Sequence, residues 1–184
     1  MKKPKLLNNK FKQSTCETCL PACLLVLLSS KIKNIDFKKE ELEILVEGLK
    51  FTKLDYAIGQ VIYVVKKYKI KADIFIEFKN FFNQLNKLKL PKGVTLVNEK
   101  IDAKLLKTLL NKSFIIVYID QFYIDHIYHF PHFIILISFS NDFVKIYDPW
   151  DGKTKIVQKI CFMKGIQSLR NKWKISPKVI QLFI

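Results

Sequence analysis

The sequence predicts an α+β fold, and three observations predict it. Segments of helical period fill the first half of the chain. Apolar, β-branched runs separated by turn residues fill the second. Strand and helix do not alternate in the regular way that builds an all-parallel sheet. At 184 residues the chain is the size of one domain. Hydrophobic residues make up 49%, enough for a core and too many for a disordered chain.

The elements follow in order. Residues 19–31 are an apolar block with Pro21 in the first turn, where proline suits a helix start. Residues 38–50 place Leu42, Leu45, Val46 and Leu49 at helical spacing. Residues 53–69 repeat that spacing with Tyr56, Ile58, Val61, Ile62 and Val65. The alternating run 70–77 reads as a strand, and 78–90 and 102–112 as helices. Residues 113–119 and 132–139 are continuous apolar runs, as strands covered on both faces are. Ser140-Asn141-Asp142 turns the second run into its partner at 143–147, and Asp148-Pro149-Trp150-Asp151-Gly152 makes the next turn. Strands at 153–157 and 178–183 flank a helix at 158–170. A helical half, about 14–112, is expected to pack on an antiparallel sheet half, about 113–184.

Charge invites a nucleic-acid reading, since the formal net charge is +16. Yet Arg170 is the only arginine among 32 basic residues. Phosphate and base recognition favours arginine's planar fork. The lysines are scattered and avoid the most informative segments, so specific nucleic-acid binding is not expected. No apolar run approaches the length of a membrane span. A basic N-terminus ahead of LPACLLVLL imitates a signal peptide, but polar Gln13 to Thr18 interrupt the pattern. The expected compartment is the cytoplasm.

Four cysteines, Cys16, Cys19, Cys23 and Cys161, do not have the spread of a disulfide framework. Cys19 stands at the mouth of the apolar helix, where free N–H groups and the positive end of the backbone dipole favour a thiolate. A nucleophilic thiol needs a base, and the base needs an orienting group. Of the three histidines, His126, His129 and His132, the last opens an apolar strand. The hairpin turn at 140–142 brings Asp148 beside it, able to fix the imidazole tautomer. Gln13, upstream of Cys19, can donate to a developing oxyanion together with the Cys19 backbone N–H. Aromatic Phe122, Tyr123, Tyr128 and Phe130 can line a cleft, and Trp150 can shield the histidine–aspartate pair.

The order Gln13, Cys19, His132, Asp148 resembles the papain-like cysteine peptidases. It is most similar to the double-glycine-leader (bacteriocin-processing) peptidase family, as a stand-alone domain without a transporter. The likeness rests on Gln13-Ser-Thr-Cys-Glu-Thr-Cys19-Leu-Pro-Ala-Cys and on His132-Phe-Ile-Ile-Leu-Ile-Ser-Phe to Asp148-Pro-Trp-Asp-Gly. The chain departs from the family at Leu20, where glycine is usual, and at Thr18, where aspartate is common. The resemblance implies one papain-like peptidase domain over residues 1–184. It makes Cys19 the nucleophile, His132 the base, Asp148 its orienting group and Gln13 an oxyanion donor. The implied substrate is a peptide or protein, cleaved without a cofactor.

Other readings of the same residues stay open. Cys16 and Cys19 form a CxxC that suits a redox pair or half a metal site. A Cys16–Cys19 disulfide would silence the nucleophile reversibly. A catalytically inactive domain could bind peptides in the same groove, and a basic module could bind acidic surfaces.

Overall fold

The computed structural model describes residues 11–51 and 54–184. Pro21 lies in the first turn of α1 (Cys19–Leu28), and all ten residues of that helix are buried. The apolar block is therefore a central core helix. After α2 (Phe37–Phe51), Asp55 caps α3 (Tyr56–Tyr68) by accepting from the Ala57 and Ile58 amides. The expected start of that helix at residue 53 falls outside the described residues. Lys69 ends α3 in the left-handed region, with φ 52°, and β1 (Lys71–Ile76) follows.

The stretch 78–90 departs from expectation. Helix α4 covers only Lys79–Leu85. Pro91 forces its predecessor into extended backbone, and Gly93 turns the chain at φ 99°. A strand absent from the sequence reading, β2 (Val94–Asn98), comes next. Then follow α5 (Ala103–Leu110), capped by Asp102 on the Leu105 amide, and β3 (Ile115–Asp120). A short helix, α6 (Phe122–Asp125), is also new. The chain ends with β4 (Pro131–Phe139), β5 (Phe143–Asp148), β6 (Lys153–Gln158), α7 (Lys159–Asn171) and β7 (Lys178–Phe183).

The seven strands form one sheet in the order β2-β1-β7-β3-β4-β5-β6. The β1–β2 pair is parallel and the other pairs are antiparallel. The sheet is thus mixed rather than wholly antiparallel, and two of its strands come from the first half. Strand β7 joins the halves by lying between β1 and β3. Alternate side chains of β3 serve two cores. Ile116 and Tyr118 pack with α1 and α3, while Ile115, Val117 and Ile119 pack with α5 and α7. Covering on both faces explains why β3 reads as an unbroken apolar run.

Helix α2 presents a different stripe from the one its leucines suggested. Leu42, Val46 and Leu49 are exposed, and Glu41, Ile44 and Gly48 face inward. The cause is the close crossing of α2 and α3. A Cβ on Gly59 would lie 2.0 Å from the Gly48 carbonyl oxygen, so only the glycine face of α2 fits there. Gly59→Ala should therefore destabilise the protein by about 1–3 kcal/mol, despite alanine's better helix propensity. Denaturant unfolding would detect this as a lower midpoint; an unchanged midpoint would contradict the close crossing. Among the described residues no helix is long and apolar enough to cross a membrane.

Candidate active site

Cys19 is the first residue of α1, and its neighbours set its position. The Thr18 hydroxyl donates to the Thr15 carbonyl at 3.0 Å and accepts from the Thr15 amide at 3.1 Å. That tight turn delivers the chain into the helix and leaves Cys19 buried at the helix mouth, 6% exposed. The thiol meets the positive end of the helix dipole. Leu20, one residue on, is fully buried in the core among the helices. Its side chain therefore packs inward instead of standing in the cleft.

His132 is the second residue of β4, in register with Ile119 of β3. The strand end holds its ring, which is completely buried. Nε2 lies 2.8 Å from Asp148 Oδ1, at the end of β5. Nδ1 is buried and has no conventional hydrogen-bond partner. The Cys19 thiol lies near enough to influence the charge of the ring. Burial works against the imidazolium, but Asp148 and Cys19 outweigh it and raise His132 from 6.5 to about 9.

Asp148 is the most heavily bonded carboxylate of the site. Besides His132, the Trp150 amide donates to Oδ1 at 2.9 Å. Lys155 Nζ and Gln121 Nε2 donate to Oδ2 at 2.6 and 3.2 Å. Burial pushes its carboxyl up, yet His132 and Lys155 prevail and hold it far below the ordinary carboxylate range. A buried carboxylate satisfied this fully is rigid, so the imidazole it holds is rigid too. The Trp150 ring meets His132 edge-on at 6.5 Å, while Trp150 itself is half exposed.

Gln13 is buried and sits in the same neighbourhood. Its amide N–H donates to the Pro149 carbonyl at 2.8 Å, tying the nucleophile's loop to the turn after Asp148. Its side-chain Nε2 donates to the Thr15 carbonyl at 2.7 Å, which leaves one amide hydrogen for another acceptor. The buried Oε1 has no partner. Ser14 is held from the other side, where its amide and hydroxyl donate to Glu41 at 2.9 and 2.5 Å.

Glu41, Gln121 and Lys155 had not been anticipated. Glu41 carried a faint signal: it is a charged residue on the same helical stripe as Ile44 and Gly48. Lys155 is one lysine of many on an edge strand, and Gln121 follows a strand end; neither has a local signature.

The remaining candidates lie elsewhere. His129 Nδ1 pairs with Asp120 Oδ2 at 2.9 Å, and Asp120 also accepts from Ser168 at 2.6 Å. His126 is exposed at the end of α6. Among the described residues no three histidine, cysteine or acidic side chains converge as a metal site. All four cysteines are free thiols, with Cys16 exposed and Cys23 buried. Burial first, then the nearby Cys19 and Asp148, push the Cys23 thiol well above its ordinary pKa. The aromatic cluster divides. Phe122 stacks on His129 with ring centroids 4.1 Å apart, whereas Phe130 packs between His132 and Trp150 at 5.5 and 5.8 Å.

No protein-family model matches the chain, and no curated protein sequence matches it. The functional argument therefore rests on the geometry of these side chains.

Proposed function

We propose that the protein is a cysteine peptidase of papain-like fold, acting through Cys19, His132, Asp148 and Gln13. One observation carries the reading. A buried imidazole is bonded through Nε2 to a carboxylate, keeps Nδ1 free of hydrogen-bond partners, and lies near a thiol at a helix mouth. Three segments distant in sequence converge to make that arrangement.

In the proposed reaction His132 takes the Cys19 proton and becomes imidazolium, stabilised by Asp148. The thiolate attacks the scissile carbonyl. The Cys19 N–H and the second amide hydrogen of Gln13 receive the oxyanion. The C–N bond breaks as His132 protonates the leaving amine. Water, deprotonated by His132, then hydrolyses the thioester and regenerates the thiol. The steps use groups of this chain and water, and the substrate is a peptide or protein.

The test is alkylation by iodoacetamide near neutral pH, mapped residue by residue, beside cleavage of a peptide pool. Cys19 should react faster than Cys161, although Cys161 is the more exposed of the two. Slow Cys19 labelling with an intact fold and retained peptide binding would instead select the inactive peptide-binding domain. The pH profile gives a further expectation. The leaving amine needs a protonated His132, so kcat/KM should fall on an alkaline limb near pH 9. A limb near pH 6.5 would mean that His132 is not charged by Asp148 and Cys19.

A further inference from the structure

Beside the Phe130 and Trp150 rings lies a cavity of about 290 Å³. Cys16, Gln121, Asp125, Tyr128, Phe130 and Trp150 line it, with Ile127 at the rim. Its wall is overwhelmingly apolar. Ile127, Tyr128 and Trp150 are 63%, 73% and 43% exposed, an unusual outlay of apolar surface around one hollow. The hollow shares two of its walls with the surroundings of the imidazole. Phe130 and Trp150 both pack on the His132 ring, and Trp150 donates its amide to Asp148.

Its charge excludes one class of occupant. From Ser113 to Val144 the chain has neither lysine nor arginine, and the acidic side chain in the lining is Asp125, with no basic side chain beside it there. That carboxylate is already engaged by Gln121 Nε2 at 2.7 Å and by the Ile127 amide at 3.0 Å. An acidic side chain would find no counter-charge there. A bulky apolar side chain would cover the exposed rings and fill the space.

The location then fixes which part of a peptide enters. The acyl half of the substrate is held by Cys19 and the oxyanion donors. The leaving amine must face His132 to receive its proton. A hollow walled by the two rings that pack on His132 therefore receives the leaving half. We infer that this cavity is a specificity pocket for a bulky apolar side chain on the residue that follows the scissile bond. The inference rests on the peptidase reading.

An acyl-transfer experiment separates the two. The p-nitrophenyl ester of an N-blocked glycine acylates the thiol, and p-nitrophenolate release above the Cys19→Ala blank reports that step. Added amino-acid amides then compete with water. The amine nitrogen attacks the thioester carbonyl, the C–N bond forms and the C–S bond breaks, and the amine proton passes through His132 to the departing sulfur. Phenylalaninamide and leucinamide should capture the acyl group about tenfold or more better than glycinamide. Trp150→Ala and Tyr128→Ala should bring that ratio to within about twofold; Tyr128 is exposed enough that its truncation does not threaten folding. Release without any preference among the amides overturns the pocket and leaves the peptidase standing. No release above the blank overturns the peptidase reading and the pocket with it.

Discussion

Cys19→Ala and His132→Ala should each reduce peptide turnover by about 10⁴-fold or more while leaving the protein folded. The sulfur is the bond-forming atom, and the imidazole handles every proton in the proposed cycle. Neither is needed to hold the core. Alanine is the best helix former, and Cys19 is one buried residue among the ten of α1. His132→Ala removes one donor from Asp148 but leaves those of Lys155, Gln121 and the Trp150 amide. His132→Gln provides a second variant that fills more of the space. Cys161→Ser, in α7 and away from the site, should retain turnover and shows that thiol loss alone is harmless. Thermal unfolding monitored by circular dichroism checks the fold. Full turnover by folded Cys19→Ala would remove the mechanism.

The sequence made much of this arrangement legible because strong local signals marked it. Pro21 and the apolar run fixed the start of α1, and so placed Cys19 at a helix mouth. The hairpin turn at 140–142 fixed the neighbourhood of His132 and Asp148, which lie 2.8 Å apart. What stayed hidden depends on tertiary contact. The strand β2 follows a proline and a glycine and owes its identity to pairing with β1. The inward face of α2 is set by the approach of Gly48 to Gly59, which outweighs the leucine stripe. Lys155 reaches Asp148 only because β5 and β6 pair with Asp148 opposite Lys153. Composition acts on the whole chain, whereas Gln13, Cys19 and His132 lie in segments without lysine, 13–30 and 113–144.

Asp148→Asn should lower kcat by about 10³- to 10⁴-fold, no more than removal of either reacting residue. An asparagine carbonyl can still accept from His132 Nε2 and the Trp150 amide, so the ring keeps its orientation. The negative charge is lost. Burial is the largest influence on His132 and opposes its charged form; the Asp148 hydrogen bond is the largest that supports it. Without the carboxylate, the alkaline limb should move from about 9 toward the ordinary 6.5. Stability should change with a definite sign. His132 has a raised folded-state pKa, so its stabilising contribution is full below about 6.5 and is lost as pH rises through about 9. Asp148 is depressed, so its contribution is full above 3.8 and is lost as pH falls toward its lower folded-state value. In the asparagine variant the acid loss should disappear and the alkaline loss should begin at lower pH. Denaturant midpoints measured from pH 3 to pH 10, beside kcat/KM over the range where the protein is folded, read both effects. A variant that keeps its alkaline limb near 9 would show that Asp148 does not charge the imidazole, and its role as the orienting carboxylate would fall.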